Sequence, residues 1–474
     1  MVEGEKEKKE IDLGTVPNGI IGMVLAVKNV SGSYTKNEGT ILPGYNDSTF
    51  LFGLNRDFQN PGLGFVFGQQ YPNFAEKAGK DSMLVKQSLL NTAYAHTMSE
   101  NFNLRANVEP FKDLKIELNG SKNVSQSNSM FYRWKPDSLN PETGNYQINS
   151  PVETGNFSIS YFTFRTAFTK DNDDNSSDVY KQFLENRAEI SKRLHDKKGD
   201  SGRTDSAGFY SGFGANSQNV LIPAFLSAYS KTSTSLISLS DMPAIPLPNW
   251  RITYSGLSRF EFIKNTFKSF TISHGYRSTY NIANYTSNLK FVNDGKGNTN
   301  VRDLNNNYLA AKQITQVSIS EQFSPLINID ATWNNSLITK IEFKKDRTLA
   351  LNFADSKLQE IQGKEIVIGS GYRFQQVPFP IKIGPAKATI KSDLNLRCDV
   401  SIRNNRTVMR SIDGSNQATA GQNVISIKTG ADYVLNERLN LRLFFDKIIT
   451  TPVISTSFPS SNTNAGFSIR FTLS

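Results

Sequence analysis

From Phe270 the chain alternates with a period of two. Phe270, Ile272, His274, Tyr276, Ser278 and Tyr280 fall on one face, and Thr271, Ser273, Gly275, Arg277, Thr279 and Asn281 on the other. Successive side chains of a strand point to opposite sides, so the run predicts one extended strand. It exceeds the about 5 to 6 residues usual for a strand and suits a segment tilted across a bilayer, which needs about 9 to 11. The strand follows WRITYSGL and a short link with Phe260, Phe262 and Phe267, so Pro248 to Tyr285 organises the rest of the chain.

The same period recurs on both sides of that stretch. Between Ala93 and Val124, Phe102, Leu104, Ala106 and Val108 alternate with polar neighbours, Pro110 to Asp113 turn the chain, and Leu114, Ile116 and Leu118 return it opposite Lys115, Glu117 and Asn119. This predicts a hairpin of long strands. After Trp250, SPL (324–326), KKDR (344–347), RNNR (403–406) and NERL (436–439) read as turns between alternating runs. The clearest faces are Leu349, Leu351 and Phe353; Leu394, Leu396, Cys398, Val400 and Ile402 against Asn395, Arg397, Asp399, Ser401 and Arg403; and Leu439, Leu441, Leu443 and Phe445 against Asn440 and Arg442. Arg397, Asp399, Arg403 and Arg442 are expected to face a water-filled lumen, because a core between packed sheets would not hold charge at every second position. Phe467, Ile469, Phe471 and Leu473 share one face of the last run. Roughly 14 to 18 strands follow, as in a large barrel or a large piece of one.

The rhythm breaks over residues 125–250. A polar stretch precedes one strong strand, FSISYFTFRTAF (157–168), and one helix candidate, DVYKQFLENRAEISKRLHD, with Phe183, Leu184, Ala188, Ile190 and Leu194 on a stripe. Connections of this length usually carry function, so 125–156 and 169–245 are expected to form a cap or lumen insertion. The organisation read from the pattern is a polar lead (1–19), barrel strands and turns (20–124), the insertion (125–250) and C-terminal barrel strands (251–474).

Composition supports an all-β chain of this kind. With 474 residues but only 38% hydrophobic ones and a mean hydropathy of -0.41, the apolar content is low for two or three cores. A barrel needs only one apolar face per strand, while a soluble all-β protein with long polar loops is the alternative. The net charge of +10 is spread along the chain, with no block suited to nucleic acid. Aromatic residues near strand ends, Trp250, Tyr254, Tyr276, Tyr280 and Trp333, are expected to form a girdle at the membrane interface. The start is charged and lacks a secretory signal, and no stretch is apolar over the about 18 residues of a spanning helix. Met1 is therefore either a cytosolic start or lies inside a longer exported protein.

Catalytic chemistry is not signalled. His96, His195 and His274 have no second histidine at ligand spacing; His195 pairs with Asp196, and His274 reads as a strand-face histidine at an interface. Asp171, Asp173 and Asn175 open like a calcium loop, but Ser176 and Gln182 stand where glycine and glutamate are needed. The glycines from Gly53 to Gly68 lack the ending of a phosphate loop, and no nucleophile elbow occurs. Cys398 on an apolar strand face reads as a buried inert thiol. No catalytic, cofactor or metal residue is expected.

Several long segments resemble the C-terminal part of the SprA/Sov family, the outer-membrane translocon of the type IX secretion system of Bacteroidetes. They are LPGY (42–45), QFLENRAEISKRL (182–194), VLIPAFLSAYS (220–230), PLPNWRITYSGL (246–257), FKSFTISHGYRSTY (267–280) and TTPVISTSFPSSNTNAGFSIRFTLS (450–474). The resemblance runs from about Ile20 to the end. It implies part of a very large transmembrane antiparallel β-barrel in the outer membrane, surrounded by lipid, through which folded cargo proteins with a C-terminal secretion domain cross. It further implies a PorV-type outer-membrane partner over a lateral opening, a periplasmic plug protein, no enzyme activity and no nucleic acid. The chain is far shorter than that family and is expected to be a fragment or split gene product. Two other readings share the periodicity: a porin-like or nutrient-uptake barrel, and an outer-membrane enzyme of the phospholipase type using His274 or His96 beside a serine. A soluble β-sandwich adhesin is a third.

Overall fold

The computed structural model describes residues 26–471 apart from 71–73, 141–142, 173, 296, 384–385, 413–415, 437–438 and 455–456. The polar lead and most of the apolar stretch from Ile20 to Val27 lie outside the described residues. The protein is all-β, and among the described residues 14 strands form one antiparallel sheet. These are β1 (Val27–Ile41), β2 (Tyr94–Val108), β3 (Leu114–Pro136), β4 (Gly144–Ser160), β5 (Asn249–Tyr254), β6 (Phe267–Ser287), β7 (Lys312–Ile314), β8 (Gln316–Trp333), β9 (Leu337–Asn352), β10 (Lys357–Ile383), β11 (Ala386–Ser411), β12 (Asn416–Asn436), β13 (Leu439–Pro452) and β14 (Ser460–Phe471). The helices are α1 (Leu63–Val66), α2 (Phe74–Lys80), α3 (Asp178–Lys198), α4 (Gln218–Ser230) and α5 (Glu261–Thr266).

Strands neighbour one another in chain order except at two places: β7 pairs only with β6, beside the longer pairing of β6 with β8, and β5 shares two neighbours with β4. β3 is paired along Lys122 to Pro136 by β4 and along Leu114 to Asn119 by β5. On the far side β6 pairs with both. β4 and β5 therefore run in line as one wall strand, interrupted by everything from Tyr161 to Pro248. Hydrogen bonds knit the interruption closed: Leu247 N–H to Ser160 O at 3.0 Å, Tyr161 N–H to Ser278 O at 3.0 Å, Ser121 N–H to Ser160 Oγ at 3.0 Å and Ser278 N–H to Asn249 Oδ1 at 2.7 Å.

The interrupting segment has its own core. α3 buries Val179, Tyr180, Phe183 and Ile190, with Asn186, Arg187 and Ser191 beside them, and stops at Gly199, whose φ of 71° places it in the left-handed region. α4 is buried on every side despite Pro223 in its interior. Both helices pack on Phe157, Ile159, Tyr280, Ile282, Val317, Ile319, Leu349, Leu351, Leu358 and Ile412 of the sheet. All of these strand residues lie toward the end that also carries the long connections 42–93 and 288–311. The opposite end has the short turns 109–113 and 334–336 and the modest link 255–266.

Several sequence expectations are corrected. Residues 125–136 and 144–156 are wall, since β3 runs on to Pro136 and β4 begins at Gly144. The strand read over 157–168 ends at Ser160, and Phe164–Thr166 form a short 3-10 turn. The insertion holds two helices where one was expected. KKDR and RNNR lie inside β9 and β11, and SPL is a bulge within β8 against β9. β12 ends at Asn436 and β13 begins at Leu439, and Glu437 and Arg438 of NERL lie outside the described residues. The hairpin of β2 and β3 pairs Phe102 with Lys122 and Val108 with Ile116, as its alternation requires.

Because α4 is enclosed by α3 and the wall, Phe225→Ala should cost about 3–5 kcal/mol of local stability. Limited proteolysis of the detergent-solubilised chain should then cut within 161–248 while β8 to β12 stay intact.

Candidate functional site

The register leaves β9 to β13 with two unlike faces. A strand cannot change face without a bulge, and β9 pairs with β10 without a shift over all of Leu337 to Asn352. One row of partners crosses the sheet as Tyr254, Ile272, Ile329, Ile341, Ile368, Val400 and Ile427. Neighbouring rows add Phe343, Ile366, Ile402 and Ile425 on one side and Tyr372, Leu396, Leu443 and Phe467 on the other. These side chains are not core: Ile368 is 55% and Ile402 54% exposed. On β10 the band covers positions 366 to 374 and on β11 394 to 402, about the 9 to 11 residues that a tilted strand needs to cross a bilayer.

The other face is charged and ion-paired. Arg397 Nε lies 2.6 Å from Asp399, Arg403 Nη2 2.9 Å from Asp346 and Nη1 3.6 Å from Glu365, and Arg442 Nε 3.7 Å from Asp432. Lys340 and Lys344 flank Glu342 at 2.9 and 3.5 Å. The four charges singled out from the sequence thus share one surface, opposite the apolar band. Glycines let this face pack closely: a Cβ on Gly363 would stand 2.5 Å from Asp346 Oδ2 and 2.7 Å from Arg403 Nη2.

The five aromatic residues expected to form a girdle fall in different settings. Trp333 sits at the short-loop end on the apolar face, its ring 4.5 Å from Phe267 and its Nε1–H donating to Thr339 at 3.1 Å. Tyr254 ends β5 in the row of Ile272, Ile329 and Ile341, four residues along β8 from Trp333, and stands 6.1 Å from Phe111. Tyr276 and Tyr280 are instead 2% and 0% exposed. Tyr280 donates its hydroxyl to Asp241 O beneath the insertion, and Tyr276 donates to Glu321 at 3.0 Å. Trp250 stacks on Tyr276 at 4.5 Å inside the same aromatic cluster. These three are packing residues because the insertion covers their part of the face. His274 also packs there, its Nδ1 2.6 Å from Leu326 O. Cys398 is only half-buried, in an apolar groove with Ser370, Thr429, Leu443 and Phe445.

The insertion is fastened to the wall by two buried ion-pair clamps that sequence reasoning missed. In the first, Arg347 Nη2 lies 2.8 Å from Glu321, which also accepts from Thr163 Oγ1 at 2.7 Å, while Arg347 Nη1 donates to Thr166 O at 2.9 Å. In the second, Arg410, fully buried, meets Asp171 at 2.7 Å and Glu360 at 3.0 Å and donates to Asn175 O. Burial, with Glu360 nearby, pushes the Asp171 carboxyl above its usual range, and Arg410 and Arg406 oppose that rise. The supposed calcium loop is thus a docking loop, with Asp173 outside the described residues. Charges at Glu321, Arg347, Glu360 and Arg410 share the parity of apolar neighbours such as Ile319, Leu349, Leu351 and Leu358, a signal present in the sequence.

At the outer edge of α3, Tyr308 of the 288–311 connection donates to Asp200 and receives Arg302 Nη2 at 2.9 Å. The tyrosine hydrogen bond holds the Asp200 carboxyl below its usual range. Among the described residues no group of His, Cys, Asp and Glu could hold a metal ion, and no helix is long and apolar enough to cross a membrane.

No known family profile and no curated protein matches the chain. Among solved structures it is similar to the RagAB peptide transporter, at a TM-score of 0.26 and 8% identity over 77% of this chain. The match spans 37% of that chain's length.

Two outcomes test these contacts. Arg347→Met leaves Glu321 buried without its cation and should cost about 3–5 kcal/mol, read as earlier thermal release of the insertion. Asp200 has a lowered folded-state pKa, so its contribution is present above the ordinary aspartate value of about 3.9 and is lost as pH falls through the lower folded value. Protection of the 299–308 amides relative to their intrinsic exchange rates should therefore fall below about pH 4, and Asp200→Asn should abolish that pH dependence.

Proposed function

We propose that the chain is a wall segment of an outer-membrane β-barrel translocon. The observation that carries the reading is the pair of unlike faces on one unbroken ladder. A soluble sheet would cover a band such as Ile341, Ile368, Val400 and Ile427, whereas a barrel wall sets it against hydrocarbon and the ion-paired face against a wet lumen. Outer-membrane barrels have short periplasmic turns and longer extracellular loops, so the long-loop end would face outward. The insertion stands on the apolar side of the wall, above the band. It would lie outside the barrel against its outer surface, not in the lumen.

The finer reading is a segment of a type IX conduit of the SprA/Sov kind. Its support is the resemblance of the stretches at 182–194, 220–230, 246–257, 267–280 and 450–474, which fall in α3, α4, β5, β6, β13 and β14 and the residues beside them. On this reading folded cargo passes the charged face, and a PorV-type partner and a periplasmic plug protein meet the assembly. The wall performs no reaction; it supplies a saturated backbone ladder and a hydrated path. A porin-like barrel closes on itself, whereas among the described residues β1 pairs only with β2 and β14 only with β13.

Ile368→Arg puts a charge in the middle of the band and should cost about 2–4 kcal/mol of insertion free energy, while Val367→Arg on the opposite face should cost far less. Flotation with liposomes after urea wash reads the difference. A chain that is a soluble monomer without detergent and unfolds cooperatively would sink the membrane reading. Liposome swelling with small sugars would favour a porin. Loss of the chain in its own cells should strand cargo with the C-terminal secretion domain inside the outer membrane.

A further inference from the structure

The apolar band ends, toward the insertion, in a row that reads Lys345, Lys364, Asn404 and Asn423 across β9 to β12. Lys345 and Lys364 are direct cross-strand partners on one face, with Cβ atoms about 4.5–5.5 Å apart, an arrangement that destabilises a sheet when the charges are alike. Among the described residues neither has a carboxylate in ion-pair contact. The nearest acids on that face are taken: Glu321 is held by Arg347 and Glu360 by Arg410. Lys345 instead donates to Ala167 O and stands 4.5 Å from the Phe168 ring centre, at the lower rim of the insertion. Lys364 is exposed. Directly below lie Phe343, Ile366 and Ile402, at 39%, 41% and 54% exposure. Above lies Phe168, 48% exposed.

This combination has a chemical meaning. Two ammonium groups side by side without a carboxylate call for a shared anion, and Asn404, whose amide donates one N–H to Asn423 Oδ1 at 2.5 Å, keeps a second N–H beside Lys364. An apolar surface running away from that anion suits hydrocarbon chains attached to it. We infer that Lys345, Lys364 and Asn404, roofed by Phe168, bind the phosphate of a membrane lipid headgroup, with its acyl chains on Phe343, Ile366 and Ile402. The inference rests on the reading of the band as the lipid-facing surface. The lysines then fix the height of the wall: the headgroup plane passes between the band and the insertion, and the insertion sits on the membrane surface. Lysines near an anionic surface contribute about 1 kcal/mol each, so the pair supports about tenfold selectivity or more for phosphate-bearing anionic lipid.

The test compares the whole chain with Lys345→Gln/Lys364→Gln in lipid vesicles. Flotation reads insertion, and native mass spectrometry of detergent-released protein reads retained lipid. In vesicles of phosphatidylcholine with phosphatidylglycerol or lipid A, the wild type should keep the anionic lipid at least about tenfold in excess of its share, and the double variant should lose that excess. Lys340→Gln/Lys344→Gln on the opposite face should leave it unchanged. Equal retention by wild type and double variant, with flotation intact, overturns the headgroup site and leaves the membrane reading standing. Failure of the wild type to float overturns both. Glycerol phosphate without acyl chains should not compete; if it displaces the lipid at millimolar concentration, the site is one for free phosphate and the assignment to membrane lipid fails.

Discussion

Everything in this molecule follows from one geometric constraint, that adjacent residues of a strand face opposite ways. Over β9 to β12 the ladder allows no slip across the middle of the wall, so each face must be chemically consistent from strand to strand. One face collects Ile341, Ile368, Val400 and Ile427, and the other collects Lys340, Asp399 and Lys428 at neighbouring levels. One covalent alternation thus gives the sheet an apolar face and a charged face. The strands are also long, 27 residues in β10 and 26 in β11, so a single strand passes through the band and continues under the insertion.

The insertion changes what the apolar-side face must be. Where α3 and α4 cover it, that face carries Leu349, Leu351 and Leu358 and the buried clamps of Arg347 and Arg410. Removing either arginine would strand carboxylates without solvent or partner. Such pairs are weak evidence for stability but strict specifiers of geometry: Thr163, Thr166, Asp171 and Asn175 can dock only where these side chains wait.

The strand content was readable from the sequence, because period two survives wherever one face is apolar. It fails where both faces are polar. KKDR looks like a turn because Lys344 and Asp346 belong to the ion-paired face while Lys345 and Arg347 belong to the clamp level of the other. RNNR repeats the pattern with Arg403 and Asn405 against Asn404 and Arg406. Tertiary cover hid part of the site as well: Tyr276 and Tyr280 alternate like girdle residues, and the insertion makes them core, with Phe162 and Phe164 over Tyr276 and Asp241 over Tyr280. Pro223 concealed α4 itself, since a proline in a helix interior costs a hydrogen bond that burial on every side here offsets. The charged face needed no such context, and Arg397, Asp399, Arg403 and Arg442 stand together as their spacing indicates.

The interrupted wall strand bears on how the sheet comes to exist. β6 must match β4 over Thr154 to Ser160 and β5 over Trp250 to Tyr254 at the same time. Both pairings hold together only with Ser160 and Asn249 end to end, which requires Tyr161 to Pro248 to be compact. Contacts across so long a span form slowly because the intervening chain must be ordered first. The insertion is therefore the joint of the wall: strands before it and after it pair among themselves, and β3 and β6 are joined across it through β4 and β5 alone.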